Sequence, residues 1–237
     1  MPLAVENPMK RMQTKDYIAC GISFLFLVLL CVNLDAFITV TRAFPYSTSF
    51  LKFAVLATFG ECIGLRIATG DYSRPGFGIL PKALVWGFLG MGIKMAFTIF
   101  SAGAPAVPAE FGLPITAATL KSGDFFPRLL AAFCVSVTMN FIFAPVFMTL
   151  HKVTDLHIAE TGGTLRGFFT PIPMGRLLKE IRWDVMWGFV FKKTLPGFWA
   201  PAHTITFMLP PYFQVVFAAL LGVILGVILA VAGMKKS

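Results

Sequence analysis

The stretch FWAPAHTITFMLPP, residues 198–211, lies within a run from Thr194 to Met234 that contains no Asp, Glu, Lys or Arg. A run so apolar belongs in lipid, where a helix of about 20 residues spans a hydrocarbon core of roughly 30 Å. Its first half nevertheless holds Pro196, Pro201, Pro210 and Pro211, with His203, Thr204 and Thr206 among them. Proline lacks an amide hydrogen and crowds the carbonyl four residues back. Non-helical backbone at bilayer depth survives only where protein or a watery cavity satisfies it. The stretch therefore predicts freed carbonyls beside an imidazole and hydroxyls, a polar spot able to hold water, an ion or a polar solute. The plainer alternative is a kinked helix capped by its own threonines, with Trp199 and Tyr212 as interfacial anchors.

Composition agrees on class. Hydrophobic residues make up 57% and charged residues 13% of the 237, against roughly 45–50% and about 25% in soluble domains. With 26 Phe and a mean hydropathy of +0.80, a soluble fold would lack polar surface. The expected architecture is all-α: one integral membrane domain over residues 1–237, a polytopic transmembrane helix bundle of about six spans with a proline-broken fifth. If the broken segment re-enters, the count falls to five. The net charge of +9 does not indicate nucleic acid, because the basic residues fall mostly between apolar runs, where they set orientation and meet anionic headgroups. The lipid bilayer is the expected partner, and a homo-oligomer is left open.

The apolar runs place spans at about 17–40, 50–69, 81–100, 129–150, 183–209 and 213–232. Residues 101–121 are too weakly periodic to assign, and 176–181 suit a short surface helix. Lys10, Arg11, Lys15, Arg66, Arg74, Lys82, Lys235, Lys236 and the basic residues of the 152–182 loop then share one side. Arg42, Lys52, Lys121 and Arg128 share the other. The excess puts both termini on the cytoplasmic side, in the plasma membrane of a bacterium or in an organelle membrane. The N-terminal apolar run is too long for a signal h-region and has no small-residue cleavage site directly after it, so an uncleaved first helix is expected. Cys20, Cys31, Cys62 and Cys134 show no ligand or disulfide spacing and read as small buried hydrophobes.

Ionisable groups inside apolar runs are costly and mark function by default. Glu61 and Lys94 lie deepest, and the expectation is a bridge between spans two and three facing a hydrated interior; the plainer alternatives are a purely structural ion pair or a Lys94 that snorkels toward the headgroups. Arg66 reads as an interface residue. His151 and Asp155 are one helical turn apart, followed by His157; a metal would need a third ligand, and these read as solvated residues at the end of span four. Asn140 and Thr138 precede Pro145, where they serve as helix glue or contact a ligand. Gly60-x-x-x-Gly64 and Gly222-x-x-x-Gly226 offer small faces for close helix approach. No nucleophile, metal site or cofactor motif stands at recognisable spacing, so an enzyme is not expected.

The C-terminal stretch resembles the signature of the Mpv/PMP family of mitochondrial inner-membrane and peroxisomal membrane proteins, roughly Trp-x-Pro-x-Gln-x-x-Asn-Phe with a Pro four residues after the Phe. Trp199, Pro201, Phe207 and Pro211 occupy those places, with His203 for the Gln and Thr206 for the Asn. The segment from Asn140 to Pro145 is similar to the family's Asp-Gln-x-x-x-x-Pro, and Gly60-Glu61 to its Gly-Asp. The family's Trp-Asn pair near the end of the last helix is absent at Gly226-Val227. The resemblance implies a small helical membrane protein with a weakly selective, channel-like role and no catalytic group. The leading functional expectation is therefore passage of a small solute or ion along a polar seam of Glu61, Lys94, Asn140, His203 and Thr206. The competing class is a non-transporting membrane component that organises other proteins, for example through the 152–182 loop.

Overall fold

The computed structural model of the chain describes residues 12–121 and 124–234. Expectations that rest on Glu6, Lys10, Arg11, Lys235 and Lys236 fall outside them. The described residues are helical, without strands. In order they form α1 (Thr14–Val32), α2 (Leu34–Ala43), α3 (Pro45–Thr69), α4 (Ile79–Gly103), α5 (Ala106–Glu110), a 3₁₀ turn (Ala117–Lys121) and α6 (Phe125–Glu160). There follow α7 (Leu165–Phe168), α8 (Met174–Glu180), α9 (Trp183–Val185), a π-helix (Met186–Trp199), α10 (Ala200–Met208) and α11 (Pro211–Met234).

Among the described residues four helices are long and apolar enough to cross a membrane: α1, α4 continued into α5, α6, and α11. Two further segments expected as spans are helical but more charged. Lys52, Glu61 and Arg66 interrupt α3, and Asp184, Lys192 and Lys193 interrupt the helical path over 183–208.

The first expected span is divided. Asn33 leaves helical geometry and its side chain caps backward, donating to the Leu29 carbonyl at 2.9 Å. The fifth departs from expectation in the other direction. It is not broken: the chain stays helical from Trp183 to Met208 through Pro196 and Pro201. Pro201 falls in the first turn of α10, where a missing amide hydrogen costs least. Pro196 is absorbed by the π-helix, whose wider i→i+5 pattern is rare and concentrates at functional sites. The extended Leu209 ends the path, and Pro211 starts α11. Pro145 likewise sits within α6, with Thr149 donating back to its carbonyl at 2.7 Å. At 36 residues, α6 extends about 54 Å. That exceeds a hydrocarbon core of roughly 30 Å, and its final turns, residues 152–160, are helix where a loop was expected.

The bundle is assembled from α3, α4, α6, α10 and α11. Helix α3 packs most extensively on α4 and α11, and α6 on α10. Small residues permit this. A Cβ on Gly90 would lie 2.6 Å from the Phe53 Cβ and 2.7 Å from the Ser49 carbonyl oxygen, so α3 and α4 touch backbone to side chain. Gly60 meets Val223 of α11 in the same way. On α6, Ala131, Ala132, Val135, Ser136 and Asn140 are fully buried, and Ser136 Oγ donates to the Ala200 carbonyl at 2.6 Å. Gly78 at φ 72° and Gly163 at φ 69° bring two connections into backbone contact, a left-handed geometry only glycine adopts cheaply.

Helix α1 stands apart. Only 6% of its apolar window is buried, and Cys20 and Cys31 are exposed on it rather than buried as expected. It is fastened at its start. Asp16 accepts from Arg66 Nε at 2.8 Å and Nη2 at 2.6 Å, and from the Tyr72 hydroxyl at 3.0 Å. Arg66 is thus a buried clamp on α1, not an interface residue as its place near a span end suggests. Beside it, Lys15 holds the Asp71 carboxyl below the usual carboxylate range.

Candidate functional site: a cavity with polar ends

The helices form a partly open cavity of about 520 Å³, within the few hundred to a thousand Å³ typical of small-molecule sites. Its walls are largely apolar: Phe53 and Ala57 of α3, Trp86, Ile93 and Phe97 of α4, Met139, Phe143 and Phe147 of α6, and Phe189 and Val190 of the π-helix. Two mechanisms open it. The π-helix turns Met186, Phe189, Thr194 and Trp199 toward the space. The glycine faces do the rest, since Gly64 and Gly222 line the cavity with nothing within 4 Å of where a Cβ would stand. The small-xxx-small pairs therefore let α3 approach α11 at Gly60 and leave space beside it at Gly64 and Gly222, all within one chain.

One end carries charge. Lys82, in the first turn of α4, bridges Glu61 of α3, with Nζ 2.6 Å from Oε2, to Asp155 of α6. Trp86 Nε1 donates to Glu61 Oε1 at 2.6 Å. His151 packs against Trp86 with the rings tilted by 58° and their centroids 4.3 Å apart, and brings Nε2 to 3.6 Å from Glu61 Oε1. Glu61, His151 and Asp155 line the cavity, and ligand atoms of these three lie within 4.8 Å of one another. They supply the third ligand that spacing alone lacked and could hold a divalent cation. The Lys82 ammonium already contacts both carboxylates, however, so a metal ion would have to displace it. His151 and Asp155 are accordingly part of a half-buried network rather than solvated surface. His157 is buried, its Nε2 3.2 Å from the Phe168 carbonyl oxygen.

The other polar group sits deeper. Asn140 Nδ2 donates to the Ser136 carbonyl at 2.8 Å and lies 3.1 Å from His203 Nδ1. The amide oxygen also lies 3.3 Å from His203 Nδ1, so which group donates in this contact follows the imidazole tautomer. Trp199 stacks on the imidazole at 5.1 Å, and Phe97 meets it edge-on at 5.8 Å. Trp199 is therefore a wall of the cavity and not an interfacial anchor. Its Nε1–H is buried without an acceptor, and His151 Nδ1 is buried without a partner, among the described residues. Buried polar groups are nearly always paired, so these two mark positions where a ligand or water completes the site.

No family model, no curated protein and no solved structure matches the chain.

Of the residues expected to form the seam, Glu61, Asn140 and His203 share this cavity, contributed by three helices. Lys94 does not. It faces a separate recess, its Nζ bonded to Thr98 Oγ1 at 3.0 Å, so the expected Glu61–Lys94 bridge is replaced by Glu61–Lys82. Thr206 is fully buried and donates to the Ala202 carbonyl of its own helix at 3.0 Å, as the self-capping alternative has it. Phe207 belongs to the core. The sequence pattern marks Lys82 only as an orientation-setting flank residue and does not single out Trp86, yet equal counting from the 70–78 turn puts Glu61 level with Trp86 and Gly87, nearer Lys82 than Lys94.

Proposed function

We propose that the chain is an integral membrane protein that takes a small, mainly apolar solute into this cavity and lets it pass along the line from Glu61 to His203. The observation that carries the reading is the convergence of Glu61, Asn140 and His203 on one partly open cavity. Walls of Phe, Trp, Met and Ala offer a bare ion no replacement for its hydration shell, whereas they suit a molecule with an apolar body and one hydrogen-bonding head. The unpaired Trp199 Nε1 and His151 Nδ1 are the groups such a head would meet. In this reading α3 and the 183–208 helix also cross, giving six passes with both termini on the cytoplasmic side. The Mpv/PMP resemblance supports it, since Trp199, His203 and Asn140, all at motif-like positions, meet at the cavity wall.

The test uses the glycines that face open space. Leucine at Gly64 or Gly222 plugs the cavity without striking backbone. Reconstituted vesicles should release small neutral solutes through the native protein. G222L, with its unfolding temperature unchanged, and H203A should slow that release. Vesicles that stay tight with native protein refute the reading.

One observation favours a second reading, a non-transporting membrane component. Helix α1 leaves nearly its whole apolar surface free of the bundle, a face that suits a neighbouring membrane protein or a second copy. In-membrane crosslinking from Cys20 and Cys31 that recovers one stoichiometric partner, without solute release, would establish it.

A further inference from the structure

At the end of the bundle opposite Lys82 lies a second recess, of about 190 Å³, lined by Thr41, Arg42, Ser49, Lys94 and Tyr212 together with the prolines that begin α3 and α11. Two cations line it and no acidic residue does. Lys52 reaches its wall from behind, donating from Nζ to Thr41 Oγ1 at 2.9 Å. Among the described residues none of Arg42, Lys52 and Lys94 forms an ion pair. By contrast Arg66 is matched by Asp16 and Lys82 by Glu61 and Asp155, while Arg128, also without an ion pair among the described residues, is satisfied in part by the Met208 carbonyl. Three neighbouring positive charges at the edge of an apolar bundle repel one another, and among the described residues no carboxylate compensates them; Lys52 has only the Phe37 ring, 4.5 Å away, besides Thr41.

The donors are also free. Arg42 lies over the Tyr212 ring at 5.0 Å, which leaves the in-plane N–H fork of the guanidinium open for a planar or tetrahedral oxyanion. Lys94 has one partner, Thr98, for three ammonium hydrogens. Thr41 is nine-tenths buried, and its hydroxyl accepts from Lys52 while its own proton has no acceptor among the described residues. The first turns of α3 and α11 meet at the same recess and add the partial positive charge of two long helix N-termini.

We propose that this recess is an anion site for a phosphate group, carried by a lipid headgroup or free in solution, held by Arg42, Lys94 and the Thr41 hydroxyl with Lys52 behind it. The site is separate from the solute cavity and does not depend on what that cavity carries. Purified full-length protein in neutral detergent is titrated with phosphatidylglycerol, with diacylglycerol of the same chains, and with inorganic phosphate, and binding is read by native mass spectrometry and thermal shift. Phosphatidylglycerol should bind and diacylglycerol should not, with affinity falling about tenfold for each cation removed in R42Q and K94Q. K94R should retain binding, and the exposed-surface control K179Q and the cavity variant H203A should match the native protein. Inorganic phosphate that binds alone, or displaces the lipid, identifies a soluble anion; phosphate without effect identifies the headgroup. If R42Q with K94Q does not fold, T41V and the single variants carry the comparison. Equal binding of phosphatidylglycerol and diacylglycerol with no response to phosphate, or unchanged affinity in K94Q and R42Q, overturns the proposal.

Discussion

Replacing Lys82 by Met tests the charged end of the cavity most directly. The methionine fills a similar volume but removes the one cation that touches both Glu61 and Asp155. Breaking a buried pair by deleting one partner costs about 3–5 kcal/mol, because a charge is left desolvated and unmatched. Here the lysine side chain is 9% exposed but the carboxylates are 22% and 25% exposed. Water therefore screens part of the repulsion that remains between them, and the cost should fall to about 2–3 kcal/mol. For a chain of this length, about 2–4 °C of midpoint accompanies each kcal/mol, so K82M should unfold roughly 4–12 °C lower in detergent. Adding E61Q and D155N to K82M removes the orphaned charges and should restore most of the loss, as apolar replacement of whole buried ion networks does elsewhere. R182Q, at a surface pair, should leave the midpoint where it was. A K82M midpoint equal to the native one would show that Lys82 is fully solvated and that the bridge between α3 and α6 holds nothing together.

The same substitution opens the Glu61, His151 and Asp155 ligand set, so K82M should gain affinity for zinc by titration calorimetry while the native protein shows little; equal affinity would mean that Lys82 does not occupy that position. Gly90→Ala pushes a methyl group against Ser49 and Phe53 and should destabilise by about 1–3 kcal/mol, whereas Gly92→Ala, facing open space, should not; equal midpoints would refute the close α3–α4 approach. Ser136→Ala removes the bond to the Ala200 carbonyl and should cost about 0.5–1.5 kcal/mol in the same assay. Loss of Trp199 stacking in His203→Ala should alter Trp199 fluorescence, and an unchanged spectrum would contradict the stacked geometry.

Much of this molecule is legible along the chain. Uncharged runs from residue 129 to 150 and from 213 to 232 can only be satisfied as helices in lipid, and they are helices in the structure. The turn at 70–78 follows from its glycines, and Asn140 and His203 stand out because a polar side chain in such a run needs a partner. The proline-rich stretch was read as broken because each proline deletes one i→i+4 bond. A change of helical pitch, which reassigns those bonds to i→i+5 and places Pro201 in a first turn, is a property of the whole segment and leaves no local signature.

Which side chains meet was decided only by tertiary packing. Glu61 could equally have faced Lys94 or Lys82 by residue type, and the two lysines lie on the same helix about 18 Å apart. The choice depends on the register between α3 and α4, which the close contact of Gly90 with Ser49 and Phe53 fixes. The same holds for Arg66 with Asp16 and for Asn140 with His203, each joined across a long stretch of chain. The hydrophobic effect and backbone hydrogen bonding act on a segment's own residues, so sequence determines that helices form and that they enter lipid. Ion pairs and cavities belong to surfaces shared between segments, and their geometry exists only once the helices are packed.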